Sequence, residues 1–413
     1  MNARPRIDPA IDSLLVDEQI MHDPYPIYRS LRSEHPVAWS DSWNAWVISR
    51  HADVAKSLRD GENLSNEDRQ GLLFDGLTAD ERAALEPLRH YFAQKDVIGS
   101  DAPDHTRMRR LVQSAFTPQI ITGLTPRIEA LVGELLADVA DLERFDLVDS
   151  VTHPLPVVLI AEVLGVPSED RDLFKRWSAD ILAFQGTGTT TFAAASTSQN
   201  ALLEMFAYMS EIIDARRLSP RDDLITALAQ AEDEGGRLTR DELLSTCNTI
   251  LTAGHETTTN FLGSMVFHLL DDPERWRSAR GNPALRALAA EETLRFDAPK
   301  QRNFRRVKRD HVFEGVEFAE NEMVFQLIGS ANRDPAKFEN PDVFEIERDP
   351  KGHVTFGNGI HFCLGAPLAK LEGRIMLEAL FDAFPSPEID PPSIEWQERV
   401  QFRGPARLEL SVR

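Results

Sequence analysis

A thiol at position 363 stands in the run Phe356-Gly357-Asn358-Gly359-Ile360-His361-Phe362-Cys363-Leu364-Gly365, a glycine-rich turn that opens a helical pattern from Leu364 to Phe381. Cys247 is the only other cysteine, which excludes a disulfide framework and a cysteine-rich metal site for Cys363. A thiolate is stabilised by cations and by the unpaired N–H groups at a helix N-terminus. Glycines at 357, 359 and 365 allow positive φ and let the backbone approach a flat, bulky group. His361 adds a donor two residues before the sulfur, and Phe356 and Phe362 can wall it from water. This is the environment of a cysteine bound axially to haem iron, with amide hydrogen bonds and apolar shielding tuning the metal.

The full pattern Phe-x-x-Gly-x-His-x-Cys-x-Gly resembles the cytochrome P-450 superfamily, the haem-thiolate monooxygenases, and in particular its soluble bacterial members. The resemblance extends through most of the chain. It implies haem b (iron protoporphyrin IX) as cofactor, Cys363 as the metal ligand, and Phe356, Gly357, His361 and Gly365 as its cofactor-binding surroundings. Ala253, Gly254, Glu256 and Thr257 match the family's oxygen-activating motif, Ala/Gly-Gly-x-Asp/Glu-Thr. Small residues at 253 and 254 leave room for a diatomic ligand. A hydroxyl beside a carboxylate can accept and pass protons through ordered water, so Glu256 and Thr257 are the expected catalytic pair.

Several weaker motifs gain meaning from the same resemblance. His105 and Arg109, at i and i+4 on one helix face, match haem-propionate contacts, as do Arg305 on a predicted strand and His361. Glu292-Thr293-Leu294-Arg295 is Glu-x-x-Arg. With Arg348 of the segment Phe338-x-x-Pro341-x-x-Phe344-x-x-x-Arg348 it implies a buried ion-pair network of structural role. Ser330 to Pro335 is a further segment typical of the bacterial members. By position along these motifs Val97, Ile98, Thr249, Thr252, Gln301 and Phe402 should face the substrate, and threonine and glutamine there point to a ligand with some polar groups. Gly186 to Ser198 reads either as a mobile lid over the pocket or as a plain flexible connector.

The elements that must carry these residues are mostly helical, with small sheets (α+β). The spacing predicts helices over 104–116, 125–139, 169–184 and 199–217. An early hairpin is expected at Val37-Ala38-Trp39 and Ala45-Trp46-Val47-Ile48 with alternating apolar and polar positions, and short strands near 305–318, 322–326 and the last fifteen or so residues. The longest helix should run from Arg240 to Asp271. Thr239 to Glu242 forms a capping box at its start and Asp272-Pro273 its stop. At 1.5 Å per residue it would extend roughly 48 Å, a central helix lying over the haem in the fold the resemblance implies. Its middle, Ala253 to Thr258, holds a glycine and several threonines where a stable helix would use better formers, so the helix is expected to loosen there, a local conflict that marks functional sites.

The 413 residues show no linker and no repeat, so a single domain over 1–413 is expected. No apolar run reaches the about 18 residues of a membrane span, and the first residues are polar, which together imply a cytoplasmic, membrane-free protein read as a monomer. A formal net charge of −22 speaks against nucleic acid as a partner.

The resemblance implies a monooxygenase that activates O2 to hydroxylate or epoxidise a small to medium organic substrate. A peroxide-driven enzyme or an oxidative coupling catalyst on the same fold are alternatives, and the Glu256–Thr257 pair argues against the first but not the second. A haem-based sensor would need an output domain, for which no segment remains. No reductase module is present either, so electrons should come from a ferredoxin and its ferredoxin reductase. Arg107, Arg110, Lys370 and Arg374 would supply the basic docking face, or are ordinary surface cations.

Overall fold

Residues 4–67, 74, 76–114, 116–167, 170–186, 191–230, 232–233, 236–389 and 394–412 are described by the computed structural model. Helices predominate, and the sheets are small, the largest having five strands. Two units separate in the chain. The first joins residues 1–64, 125–155 and 257–413, and the second residues 65–124 and 156–256.

The first unit is built on the expected hairpin. Val37–Ser40 pairs antiparallel with Ala45–Ile48, which pairs in parallel with Met323–Leu327, which in turn pairs antiparallel with Arg302–Val307. The two hairpin strands do not alternate between core and solvent, because all eight residues are buried. Period-2 geometry instead sends side chains into two different cores. Ala38 and Val47 join Ile27, Tyr28 and Leu31 of the helix Tyr25–Glu34, whereas Trp39, Trp46 and Ile48 join Val54, Phe313 and Phe318. Trp46 stacks on Phe318 with ring centroids 4.7 Å apart. The strand expected near 305–318 divides after Val307. His311–Phe313 and Val316–Phe318 form a separate hairpin around Glu314 and Gly315, both at positive φ, the conformation of a tight hairpin turn.

A buried polar knot ties this unit together. The Asp297 carboxylate accepts hydrogen bonds from Tyr25 Oη at 2.7 Å and Arg403 Nε at 2.8 Å. It also receives His268 Nε2 at 3.1 Å, which must be the donor because an ionised carboxylate only accepts. Burial alone would raise the Asp297 carboxyl, but Arg403, His268 and Arg333 outweigh it and hold it far below the usual range. The Arg333 guanidinium lies between the rings of Tyr25 and Phe296, 3.3 and 3.5 Å from their centroids. Burial pushes the phenol of Tyr25 well up and that of Tyr28 up to about 12.

In the second unit the helices Arg171–Gly186 and Phe192–Leu218 pack along each other, with Trp177 Nε1 donating to Glu204 at 2.9 Å. The second of these starts seven residues earlier than the expected 199. Thr191 caps it through Ala194 N–H, and the alanine-rich opening has high helix propensity, so Phe192 to Ser198 is helix rather than lid or connector. Residues 187–190 of that expected loop lie outside the described ones. The longest helix is Arg240–Leu270, within one residue of expectation. Its capping box is formed, with Glu242 N–H donating to Thr239 Oγ1 at 3.2 Å and Thr239 N–H to Glu242 Oε2 at 2.8 Å. Helical structure continues without interruption through Ala253 to Thr258, where loosening was expected, and the boundary between the two units falls between Glu256 and Thr257.

Candidate active site

The cysteine loop is shaped by its glycines. Gly357 and Gly359 adopt φ of 77° and 84°. A Cβ on Gly359 would come within 3.3 Å of the Arg59 Cα and of the Leu58 carbonyl, so this turn lies flat against a neighbouring helix end only because no side chain intervenes. Cys363 N–H donates to the Phe356 carbonyl at 2.8 Å, and Phe362 N–H to that of Gly359 at 3.1 Å. These bonds present the Cys363 thiol at an exposed position just before the helix Ala366–Ala383, whose N-cap is Gly365. The rings of Phe356 and Phe362 lie 6.2 Å apart on the same loop. His361 is partly buried there.

Elsewhere in the first unit, Arg305 is buried on the strand Arg302–Val307, with its Nη1 donating to the Phe304 carbonyl at 3.1 Å. Thr257 is partly buried on the long helix. The Gln301 amide is buried and donates to the Ala298 carbonyl at 2.8 Å and to Tyr25 Oη at 3.3 Å, while Phe402 is buried beside it through the bridge to Lys300. Glu292 and Arg295 are wholly buried. Arg295 grips both Glu292 oxygens at 2.7 Å and reaches the carbonyls of Asn332, Pro341 and Val343 at 3.0, 2.9 and 3.3 Å. Arg348 Nε adds a bond to Glu292 Oε1 at 3.1 Å. The three residues thus come together around the loop of residues 332–348.

In the second unit His105 is buried on the helix Asp104–Gln113, and Arg109 is partly buried one turn on. Burial and the Arg109 charge lower the His105 pKa, against Asp101. Gly254 lets the long helix approach Pro154–Leu164: a Cβ there would meet Ile160 at 3.4 Å, while Ala253 is exposed. Glu256 is buried. Its neighbour His255 bonds to the Leu251 carbonyl through Nδ1 at 2.9 Å and to Ser178 Oγ through Nε2 at 3.1 Å. Thr252 Oγ1 donates to the Asn248 carbonyl at 2.8 Å. Val97 is buried and Ile98 exposed in the loop before the His105 helix. Thr249 Oγ1 donates to Asp96. Cys247 is inert, with burial pushing its thiol up to about 12.

Among the cations expected at a docking face, Arg107 pairs with Glu242, Lys370 with Glu291 at 2.5 Å and Arg374 with Glu378 at 3.2 Å. Sequence reasoning missed Asp96, His255 and the Asp297 knot. An Asp-x-x-Gly turn signal marks Asp96 at residues 96–99, but its bond to Thr249 has no local signature. Among the described residues no group of three or more His, Cys, Asp or Glu side chains gathers to hold a metal ion, and no described helix is long and apolar enough to cross a membrane.

A thiolate at a helix start, a glycine loop before it, and a long helix carrying an acid–alcohol pair define the haem-thiolate enzymes. The cytochrome P450 family model matches residues 75–280 and 285–402, and the chain belongs to that family. It is 36% identical over 404 residues to cytochrome P450 107B1 of Saccharopolyspora erythraea, covering 97% of each chain. Identity is also 36% to the 6-deoxyerythronolide B hydroxylase of that organism over 399 residues, 94% of this chain and 96% of that one. In three dimensions it is similar to cytochrome P450 CYP109Q5 of Chondromyces apiculatus, with a TM-score of 0.85 at 34% identity over 96% of this chain and 97% of that one. The protein is a cytochrome P450 monooxygenase with a haem cofactor. Its loop fits that group: the only exposed thiol of the chain is presented on a turn that glycines keep flat and that two phenylalanines flank.

Proposed function

We propose that this enzyme inserts one oxygen atom of O2 into a C–H bond of a small to medium organic substrate, using haem b and electrons from a separate ferredoxin and its reductase. The observation that carries the reading is the exposed Cys363 thiol on its glycine-shaped loop, in a chain with no second accessible cysteine. Hydroxylation is preferred over epoxidation because a relative aligned over nearly the whole chain is named a hydroxylase.

Bound haem supplies the O2 chemistry, and thiolate ligation favours O–O cleavage. The chain's residues do the rest. Cys363 would bind as thiolate on the turn that its own N–H bond to the Phe356 carbonyl keeps in shape, with Phe356 and Phe362 flanking it on the same loop. His105, Arg109, Arg305 and His361 are assigned to the propionates. Glu256 receives protons at its carboxylate and Thr257 passes them on at Oγ1, and the exposed, small Ala253 leaves space beside them. Val97, Ile98, Thr249 and Thr252 are assigned to the substrate side, where Gln301 and Phe402 also belong in this reading. Arg107, Arg110, Lys370 and Arg374 are assigned to the ferredoxin contact in this reading.

The test is the ferrous–CO spectrum of purified holoprotein. It should show the red-shifted Soret band of thiolate ligation, and Cys363→Ala should abolish that band. A wild-type spectrum of histidine-ligated type would overturn the proposal.

A further inference from the structure

Asp96 gathers more bonds than a loop aspartate needs. Its Oδ1 accepts the backbone N–H of Ile98 at 2.8 Å and that of Gly99. Ser100 Oγ donates to its carbonyl. Its Oδ2 accepts the hydroxyl of Thr249, on the long helix. One carboxylate therefore shapes the turn at 96–100 with one oxygen and fastens it to the helix with the other. A second bond lies beside it, from Asn248 Nδ2 to Tyr91 Oη. Tyr91 is buried and packs edge-on against Phe206, 5.4 Å between centroids, so the root of the loop is anchored as well. Burial and the Asp96 charge both push the Tyr91 phenol up, so it remains a neutral hydrogen-bonding group. Gly99 is matched to this arrangement, since a Cβ there would sit 3.1 Å from Asp96 Oδ1.

Thr249 precedes Glu256 by seven residues, which is two helical turns, roughly 10 Å along the axis and on the same face. Val97 and Ile98 are the residues between the two bonded ends of the turn. Their position relative to the face that bears Glu256 is consequently set by the Asp96–Thr249 bond. We infer that Asp96 is a positioning residue of the substrate site, clasping the Val97–Ile98 wall to the long helix and thereby setting how a bulky ligand reaches the space before Glu256. This rests on the assignment of Val97, Ile98 and Thr249 to the substrate side. It also accounts for the Thr249 hydroxyl, which is occupied by Asp96.

The clasp is tested on holoenzyme with Thr249→Val, Thr249→Ser and Asp96→Ala. Hydrogen exchange over residues 94–101 should accelerate about tenfold in Thr249→Val, the scale of one lost charge-assisted bond, and by more in Asp96→Ala, which also loses the bonds to the Ile98 and Gly99 N–H groups. Thr249→Ser, which keeps the hydroxyl, should match wild type. Stopped-flow binding of imidazole and of 4-phenylimidazole, followed by the Soret shift, should then show the larger ligand gaining more rate than the small one in Thr249→Val. Wild-type exchange in Thr249→Val and Asp96→Ala would overturn the clasp. Faster exchange with an unchanged ratio of the two ligand rates would reduce Asp96 to a structural turn residue and overturn the positioning role. Failure of the haem-thiolate reading itself would appear in the ferrous–CO spectrum, whereas exchange reports on the clasp regardless.

Discussion

Arg295→Met removes five hydrogen bonds from a site where Arg295, Glu292 and Asn332 are fully buried. Both Glu292 oxygens lose a 2.7 Å partner, and Oε2 is left without its guanidinium. Oε1 keeps Arg348 Nε and the Glu345 N–H, both at 3.1 Å. Breaking one side of a buried ion pair costs about 3–5 kcal/mol. The carbonyls of Asn332 and Pro341 also lose the Arg295 donor, at about 1–3 kcal/mol each. Val343 O retains a long bond from Arg348 Nη2 at 3.4 Å and adds little. The sum, about 5–11 kcal/mol, is comparable to the whole stability of a folded protein, about 5–15 kcal/mol. Arg295→Met should therefore yield little folded holoprotein. Arg295→Lys, which can reach one Glu292 oxygen but not the fork of carbonyls, should fold with a clearly lowered urea midpoint. The assay is urea unfolding by far-ultraviolet circular dichroism together with haem content per chain. If Arg295→Met unfolds within about 1 kcal/mol of wild type, the accounting of buried unsatisfied groups is wrong for this site.

Two further outcomes follow from the same kind of reasoning. Asp297 has a folded pKa far below its unfolded value of about 3.9, so its contribution is complete above that value and is lost as pH falls below it. Asp297→Asn should be destabilised at pH 7, and the gap to wild type should begin to narrow as urea unfolding is repeated below about pH 4; a gap that stays constant down to about pH 3 would refute the ionised, cation-paired Asp297. Thr257→Ala should keep the ferrous–CO band yet divert electrons to hydrogen peroxide, measured as peroxide formed per reducing equivalent, and coupling equal to wild type would remove Thr257 from the proton path.

What could be read in the sequence was what is local. The Cys363 loop announces itself within ten residues, and the long helix is delimited by a capping box at one end and Asp272-Pro273 at the other. Glu292 and Arg295 are neighbours on one helix face, so their pairing follows from spacing, though their complete burial does not. What the sequence does not announce is a remote partner. The Thr249 hydroxyl bonds to Asp96, 153 residues away in sequence. The Gln301 amide donates to Tyr25, 276 residues away. The hairpin at 37–48 was expected to have one wet face because single-strand patterning cannot reveal that a helix and a second hairpin cover both sides.

Only four tyrosines occur in the chain, and Tyr25, Tyr28 and Tyr91 are buried with phenols that resist ionisation. They sit in both units, Tyr25 in the Asp297 knot and Tyr91 at the Asp96 clasp. The near-ultraviolet absorbance of phenolate is thus a native optical indicator. In mild base these rings stay silent while their surroundings are intact, and each becomes visible when its own unit opens. Single replacements by phenylalanine would assign each step of an alkaline titration to one tyrosine, so that the two halves of an interleaved chain can be followed separately without attaching a dye.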